Sequence, residues 1–571
     1  MLLKRFFSKV VTYLSIFTVA ILLCTNIAIS CQIETATTIL HNGKVFTSDS
    51  TNLWVEAVAI RNNWIVGVGS NDDILEYQGS NTLMINLQGR IMLPGFNDAH
   101  THLIPFIDPI NGMYINDPLT FIPNSGPSVQ EMLGLIQYLD TIIPLNVSFF
   151  GIVGESFLED SLVSRFLLDI VAPNRPVIIF GWAGHFLVLN TAAMQAVGIS
   201  ETQNDPFGGS YDRVEDTNIV NGVLREYAAY DFARRVRSAV PDEVFQAQLT
   251  EIFQGCLQMG YTSVQDVPIG IPHERYRNIL EGMNVPLRIR NIAFPYSIEE
   301  AQDLFNDFEW VNPLNKVQSA GIKWITDGTP QESYMCLTEE YLDQPGWFGQ
   351  FNFLSDDFNQ MLKNSYYTFK LKKNQIELHC QGDSAIQIVL DNMSDIGSDW
   401  GWRLHRPRIV HGDMIMPEQY SDVASKGICI MKIPSQFIKG EVFFRRLGPE
   451  RFQYVQPLKS LIDNNVKVVL CSDTLGGVGN PFLDIKLAMF HPTNPSESIS
   501  IETAVIHYTA AGAYSEYMEY LKGTLQSRRL ADLIVLSKDI FDPVNWANLE
   551  ETFSILTIIN GEIVWDAGML L

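Results

Sequence analysis

Residues 93–103 read LPGFNDAHTHL and hold two histidines, His100 and His102, one residue apart behind an apolar run and a Pro-Gly pair. Side chains alternate between the two faces of an extended strand, so both imidazoles are expected on one side and Thr101 on the other. Two imidazoles on one side of a strand end can hold a metal ion, but a surface loop can also contain two histidines. The rest of the chain decides between these readings.

The middle of the chain, about residues 93–521, alternates apolar runs typical of strands with amphipathic stretches typical of helices. The strand-like runs are residues 177–181, 263–265, 322–325, 375–379, 408–411 and 466–473. Helical stretches such as 243–259 and 384–393 lie between them. Alternation of this kind over such a length predicts a parallel α/β architecture, and a (β/α)8 TIM-like barrel is the first expectation.

Several of these runs end in a side chain that can bind a metal or carry a proton. His379, His411 and Asp473 each close a strand-like run, and Lys323 lies inside a fourth. The carboxyl ends of barrel strands converge on one face, where active sites form. These four residues and the two histidines of the opening stretch are therefore expected to meet in space.

The chemistry of that set points to a metal. Imidazoles with a carboxylate are the usual ligands of catalytic zinc, which keeps one position for water. Asp473 would be both ligand and proton carrier. A buried ammonium at Lys323 must pair, point outward or be modified, and a carbamate on its nitrogen can bridge two ions. Taken singly, each residue has a structural reading as well: a histidine can be a hydrogen-bonded core residue, and Asp473 can cap a helix.

The two ends of the chain are β-rich and flank a different middle. Asn42-Gly43, Asn62-Asn63 and Asn560-Gly561 stand between apolar runs and predict hairpin turns. We expect a small composite β-sandwich domain built from residues 34–92 and 522–571, around a barrel of residues 93–521. Two long stretches, near 104–175 and 265–320, are expected to be inserts that wall the pocket.

The chain is strongly acidic, with 64 acidic against 39 basic residues and a formal net charge of −25. Nucleic acid and an anionic membrane face both require Lys/Arg patches, so neither is expected as a partner. A small-molecule substrate is expected instead. A homodimer is the default expectation for the oligomeric state.

The first 31 residues differ from the rest. Lys4, Arg5 and Lys9 precede an almost wholly apolar run, residues 10–24, and small and polar residues follow up to Cys31. This order is typical of a signal peptide, so we expect an exported protein, periplasmic or extracellular. An uncleaved N-terminal membrane anchor and a lipoprotein modified at Cys31 are the alternatives.

Several motifs together resemble a known family. Residues 93–102 resemble the opening motif of the amidohydrolase superfamily, and residues 39–47 and 530–536 resemble its composite sandwich. Within the superfamily the chain is most similar to the amidohydrolase 3 branch, the YtcJ-like and N-substituted formamide deformylase-like proteins. The motifs behind that choice are GHFLVLNTAA (184–193), NGVLRE (221–226), GIKWITDG (321–328), HCQGDSA (379–385), RIVH (408–411) and SDT (472–474). The resemblance covers about residues 37–570 and implies a barrel metallohydrolase.

Carried over residue by residue, the resemblance implies a set of metal ligands with Asp473 also acting as proton shuttle. The implied ligands are His100, His102, Lys323, His379, His411 and Asp473. Lys323 matches the strand lysine of the branch and would be a bridging carbamate, unless Glu226 supplies a carboxylate instead. His185 would lie near the substrate and polarise its carbonyl or hold an oxyanion. The alternative role for His185 and Glu226 is to hydrogen-bond to the metal ligands without contacting metal or substrate.

Two departures from the family pattern lie close to the expected site. Members of the family commonly have Glu-His-Ala-Gln around the second late histidine, where this chain has Val410-His-Gly-Asp413. The strand that follows usually ends in Gln-Pro, whereas here Lys432-Ile-Pro stands. Every implied ligand is still present, so the two changes bear on the substrate rather than on activity.

The sequence therefore predicts a metal-dependent hydrolase of non-peptide carbon–nitrogen bonds that uses one or two divalent ions, with zinc expected. A deaminase or cyclic amidase on the same scaffold is one alternative. A catalytically inactive binding homologue is the other. A carboxylated Lys323 favours two ions, whereas deaminase-type sites use one.

Overall fold

The computed structural model describes residues 35–104, 112–116, 126–307, 314–372 and 375–570. The predicted signal segment, residues 1–31, lies outside this part of the chain, so Cys31 does too. Within the described ranges, no helix is both long enough and apolar enough to span a membrane.

The N-terminal part is built of short strands. They are β1 (Thr38–His41), β2 (Lys44–Phe46), β3 (Trp54–Val55), β4 (Ala57–Arg61), β5 (Trp64–Gly69), β6 (Leu83–Asn86) and β7 (Ile91–Pro94). Strands β5, β4, β1 and β6 form one sheet in that order, with β1 antiparallel to β4 and parallel to β6. Gly95 then turns the chain directly into β8 (Phe96–Thr101), the first barrel strand.

A separate sheet is inserted between the first and second barrel strands. Its strands are β9 (Gly112–Tyr114), β10 (Ser148–Val153), β11 (Val177–Gly181), β12 (Phe186–Leu189), β13 (Gly209–Arg213) and β14 (Val220–Glu226). They lie in the order β13-β14-β12-β11-β10-β9. Helices Val129–Ile142 and Arg165–Val171 pack on this sheet over an apolar core that includes Phe149, Val177 and Ile179. This insert sheet forms one wall of the barrel mouth.

The remaining barrel strands follow in chain order. They are β15 (Tyr261–Asp266), β16 (Arg288–Ala293), β17 (Val317–Ile325), β18 (Ile376–Cys380), β19 (Arg408–His411), β20 (Cys429–Lys432) and β21 (Lys467–Leu470). Each pairs in parallel with the next, and β15 pairs in parallel with β8. The chain after β21 meets β8, because Asp473 N donates to His100 O at 2.9 Å and His102 N to Thr474 O at 3.0 Å. These bonds close the predicted barrel.

Helices cover the outside of the barrel between its strands. The longer ones are Tyr227–Ser238, Asp242–Met259, His273–Glu281, Ile298–Asp307, Ser355–Lys372, Asp383–Ile396, Asp399–His405, Gly440–Phe452, Pro481–Met489 and Ile501–Tyr508. Short 3-10 helices lie at Pro417–Gln419, Pro434–Lys439, Pro495–Glu497 and Pro543–Glu551. One of these, Pro434–Lys439, follows β20 and therefore lies at the carboxyl end of the strands.

The last strands return to the N-terminal sheets. Strands β22 (Leu533–Leu536), β23 (Ser554–Ile559) and β24 (Glu562–Asp566) extend the order β24-β23-β22-β7-β2-β3. Side chains of both sheets, among them Leu40, Val58, Leu533 and Ile558, share one buried apolar cluster. The predicted composite β-sandwich built from both ends of the chain, together with the barrel, is confirmed.

Two sequence expectations were wrong. Residues 177–181 were expected to be a barrel strand, but they form β11 of the insert sheet, so the insert reaches Glu226 rather than residue 175. The stretch 265–320 was expected to be a second insert, but it contains the barrel strand β16. Because β16 contains two arginines, Arg288 and Arg290, its sequence resembles that of an exposed segment. Both side chains are nevertheless buried: Arg288 donates to Asp532, and Arg290 donates to Gln375.

Candidate metal centre and active site

The carboxyl ends of the barrel strands surround a cavity of about 190 Å³. Every residue predicted as a metal ligand lines it, and so does His185: His100, His102, His185, Lys323, His379, His411 and Asp473. Six of these come from the barrel, and His185 comes from the insert sheet region just before β12. The fold thus brings together residues that are far apart in sequence.

Three of these residues form a compact group of ligand atoms. Nε2 of His100 and Nε2 of His102 each lie 3.3 Å from Oδ1 of Asp473, and the three ligand atoms fall within 4.8 Å of one another. Nδ1 of His102 lies 2.7 Å from the carbonyl oxygen of Val267, so this nitrogen carries the ring proton. In the neutral ring Nε2 then presents a lone pair toward a carboxylate oxygen, and a cation between two such acceptors removes their repulsion.

Two further imidazoles extend the group. Nε2 of His411 lies 3.7 Å from Oδ2 of Asp473, and the rings of His411 and His379 are 4.5 Å apart between centroids. Burial lowers the pKa of both rings well below its usual value, with neighbouring positive groups adding to the effect. Both rings are therefore neutral and offer lone pairs. This donor set, imidazoles with one carboxylate, fits a divalent metal ion.

The backbone at two of these positions is strained. His411 has φ 73° and Asp473 has φ 49°, both in the left-handed region that costs roughly 1–2 kcal/mol for residues with a side chain. Ser472 is held next to Asp473 by Asp98, whose carboxylate accepts from Ser472 N at 2.9 Å and from its hydroxyl at 2.6 Å. Such strain is retained where the surrounding contacts fix it, and it collects at functional sites.

A buried ionic cluster below the ligands was not predicted from the sequence. Glu377 Oε1 lies 2.8 Å from Nδ1 of His100 and 3.5 Å from Nζ of Lys323, and Oε2 lies 3.0 Å from Nε of Arg408. Burial alone would raise the pKa of Glu377, but these positive neighbours, Arg408 first, hold it far below the usual range. A carboxylate on the ring nitrogen that faces away from a metal fixes the orientation of a ligating histidine.

The alternation of side chains along β18 could have predicted that Glu377 points into the barrel. It lies two residues before His379 in β18, so both side chains are on the same face of the strand. A charged residue in an otherwise apolar strand that ends in a ligand histidine must point into the barrel and find partners there.

His185 is held from behind by two residues. Its Nδ1 is hydrogen-bonded to Oε2 of Glu226 at 2.8 Å, and the hydroxyl of Tyr230 lies 3.2 Å from the same nitrogen. Burial would lower the pKa of His185, but the charge and hydrogen bond of Glu226 outweigh it and raise the pKa. Glu226 does not line the cavity. Its position orients His185, and Nε2 remains for a ligand in the cavity.

The two departures from the family pattern contact each other. Nζ of Lys432 lies 3.2 Å from Oδ1 of Asp413 and donates to the carbonyl oxygen of His411 at 2.9 Å. Asp413 lines the cavity, whereas Lys432 is fully buried behind it. The lysine therefore balances the charge of the carboxylate that the departure introduces next to His411, a candidate ligand.

A parallel barrel with imidazoles and a carboxylate at the carboxyl ends of its strands, joined to a composite β-sandwich, defines the class of metal-dependent hydrolases. The sequence pattern of the amidohydrolase family matches residues 83–565, most of the chain. The chain belongs to the amidohydrolase family and is an enzyme of that family, as its motifs predicted.

Relatives agree with this assignment over nearly the whole chain. YtcJ of Bacillus subtilis (strain 168) is 26% identical, covering 92% of this chain and 99% of its own. N-substituted formamide deformylase of Arthrobacter pascens is 24% identical, covering 92% of this chain and 97% of its own. The crystal structure of an uncharacterized metal-dependent hydrolase from Pyrococcus horikoshii OT3 has the same fold, with a TM-score of 0.67, 18% identity and coverage of 90% and 99%.

Proposed function

We propose that the protein is a zinc-dependent hydrolase of small molecules that cleaves amide-like carbon–nitrogen bonds other than peptide bonds. The observation that carries this proposal is the cavity in which Asp473 touches the ring nitrogens of three histidines. Asp473 lies 3.3 Å from His100, 3.3 Å from His102 and 3.7 Å from His411. A carboxylate so placed has the two functions that such a reaction needs, ligand and proton carrier.

His100, His102, His379, His411 and Asp473 would hold the metal. Zinc bound in such a site lowers the pKa of water to about 7 and acts as a Lewis acid toward a carbonyl. Four imidazoles with one carboxylate favour zinc over magnesium or calcium, which take oxygen ligands.

Asp473 accepts the proton of the attacking water and returns it to the leaving nitrogen in this mechanism. Gln436 supports that role, because its Nε2 donates to Oδ2 of Asp473 at 3.0 Å and fixes the carboxylate. Glu226 raises the pKa of His185 and so favours the ring protonated at both nitrogens; with Nδ1 donating to Glu226, Nε2 donates to the oxygen on which negative charge develops.

Lys323 decides between one ion and two. Its Nζ is buried, with Oε1 of Glu377 3.5 Å away. Burial outweighs that carboxylate and lowers the pKa of Lys323, which favours the neutral amine that reacts with CO2. A carbamate there would add an anionic ligand and a second ion. Carbon-13 NMR of protein exchanged with labelled bicarbonate tests this: a carbamate resonance absent from Lys323→Met supports two ions. A single ion without carbamate would favour the deaminase alternative.

The name of the relative from Arthrobacter pascens suggests the first substrates to test. We propose N-substituted formamides and small N-acyl amines, because a cavity of about 190 Å³ admits only small molecules. Cyclic amides and aminated heterocycles form the second panel, since the same scaffold hosts several reactions.

The central experiment combines metal analysis with a matched pair of variants. Purified protein is expected to contain stoichiometric zinc, and Asp473→Asn is expected to lose at least about 1,000-fold in kcat while it stays folded. Asp484→Asn is the control, because Asp484 is a buried aspartate, 1% exposed, that does not line the cavity. Absence of any stoichiometric metal, or turnover in Asp473→Asn equal to that of the wild type, would contradict the proposal.

We also propose that the protein is exported and that it is a homodimer. Supporting export is the basic, then apolar, then small-residue order of residues 1–31. N-terminal sequencing of the mature protein from fractionated cells distinguishes a cleaved signal from an anchor or a lipid on Cys31. Light scattering of the purified protein gives its oligomeric state.

A further inference from the structure

A lysine faces the cavity from the 3-10 helix that also fixes Asp473. Gln436 and Lys439 both belong to the helix Pro434–Lys439, and both line the cavity. Residues three apart in a 3-10 helix lie on the same side, about 6 Å apart along its axis. Gln436 donates to Asp473 Oδ2 at 3.0 Å, so the Lys439 side chain leaves the helix on the side of the reacting carboxylate.

Lys439 has no ion-pair partner in the described part of the chain. The contact that its Nζ makes is with the ring of Trp182, 3.5 Å from the ring centroid. Four carboxylates act on it from a distance: Asp413, Glu155, Asp473 and Glu332. Two of them are already engaged, Asp413 by Lys432 at 3.2 Å and Asp473 by the ligand histidines.

Trp182 holds the ammonium at the cavity wall. It follows strand β11 of the insert sheet, whereas Lys439 belongs to the barrel, so the two elements meet at this contact. A cation over an indole ring is stabilised electrostatically, yet the ring satisfies none of its three N–H donors. A partly buried ammonium left with free donors inside a substrate cavity is an anion-binding group.

We propose that Lys439 binds an anionic group of the substrate, so that the enzyme prefers amide-like substrates that carry a carboxylate over their neutral analogues. This inference rests on the hydrolase function proposed above. Burial lowers the pKa of Lys439 to about 8, which still leaves it mostly charged at neutral pH.

The test is a substrate pair that differs only in charge. An N-formyl amino acid and its carboxamide are compared by kcat/KM in the zinc-loaded wild type and in Lys439→Met. The wild type is expected to prefer the acid, and the ratio of the two kcat/KM values is expected to fall by about 10- to 100-fold in the variant, as for loss of one charge-assisted hydrogen bond. Lys439→Arg keeps the charge and is expected to keep most of the preference.

The control is a lysine away from the site. Lys459 is exposed and pairs with Asp463, so Lys459→Met is expected to leave the ratio unchanged. If Lys439→Met does not fold, Lys439→Gln replaces it, because an amide keeps polar atoms at the cavity wall. A ratio that stays the same in the folded neutral variant, with both substrates turned over, overturns the inference and leaves the hydrolase function standing.

Measurements of substrate binding distinguish a failure of this inference from a failure of the proposed hydrolase reaction. If the wild type turns over neither substrate, calorimetry measures binding of the N-formyl amino acid and its carboxamide to the zinc-loaded proteins. Tighter binding of the acid by wild type, lost in Lys439→Met, supports the anion site even though the reaction was misassigned. Equal binding of acid and carboxamide by wild type overturns it.

Discussion

Replacing Arg288 by methionine tests how much a buried ion pair between the barrel and the sandwich stabilises the protein. Nε of Arg288 lies 2.6 Å from Oδ2 of Asp532 and Nη2 lies 3.2 Å from Oδ1, a two-point contact between β16 and the residue before β22. Both residues are only 4% exposed. Methionine keeps much of the volume but leaves a buried carboxylate without its cation, which costs about 3–5 kcal/mol in the free energy of unfolding.

The pH dependence of that loss follows from the pKa of Asp532. Burial would raise this pKa, but Arg288 outweighs burial and holds it below its ordinary value. The pair therefore contributes its full stabilisation above about pH 4, the pKa of an unfolded aspartate, and loses it as the pH falls through the folded pKa. The deficit of Arg288→Met is expected to be full at neutral pH and to shrink in acid, where protonation neutralises the unpaired carboxylate.

Urea denaturation followed by fluorescence, at pH 7.5 and at intervals down to about pH 4, measures the deficit. The double variant Arg288→Met/Asp532→Asn is expected to recover at least about 1 kcal/mol relative to Arg288→Met, because it removes the buried charge. Arg277→Met is the control for an exposed ion pair, with an expected change below about 1 kcal/mol. A deficit below about 1 kcal/mol at neutral pH, or one equal at every pH, would refute the reasoning.

Three further predictions concern the site and its supports. Burial raises the pKa of Asp484 to about 7, so its carboxylate destabilises the fold increasingly between about pH 4 and 7. Asp484→Asn is therefore expected to raise the Tm measured by thermal denaturation at pH 8 but not at pH 4. Glu377→Gln is expected to weaken zinc binding about 10- to 100-fold in calorimetric titration, because the carboxylate beside Nδ1 of His100 is lost; equal affinity would count against the orienting role. At Gly95 an added Cβ would clash with the side chain of Thr262, so Gly95→Ala is expected to lower the free energy of unfolding by about 1–3 kcal/mol, and Thr262→Gly in the same chain to restore part of it.

The barrel could be predicted from sequence where apolar runs end in polar ligands. His379, His411 and Asp473 marked β18, β19 and the end of β21, because a polar side chain that closes an apolar run is expected at the carboxyl end of a barrel strand. Residues 177–181 gave an equally apolar run, yet they belong to the insert sheet. Periodicity reports that a strand is buried, but it carries no information about which sheet buries it, since that depends on contacts distant in sequence.

That the candidate ligands share one cavity was predictable from the sequence, whereas the residues that support them were harder to predict. His100 and His102 lie one residue apart and can be recognised as a pair from the sequence, whereas Glu377 comes within 2.8 Å of His100 only through the pairing of distant strands. No sequence pattern marks Lys439, because the role proposed for it depends on its contact with Trp182 and on the distance of its Nζ from carboxylates, which only the fold determines. Lys432 and Asp413 were noticed as separate departures, and only the fold reveals that they form a pair.

The hydrogen bond from Asp473 N to His100 O has a consequence for when the protein becomes competent to take up its metal. The two residues lie about 370 positions apart, on the first and last elements of the barrel, so a growing chain presents His100 and His102 long before their carboxylate partner exists. An early ion would find two imidazoles and nothing more. The full set of side chains therefore comes together only when the last strand closes the barrel. An ion bound there would come from the compartment in which this closing step takes place.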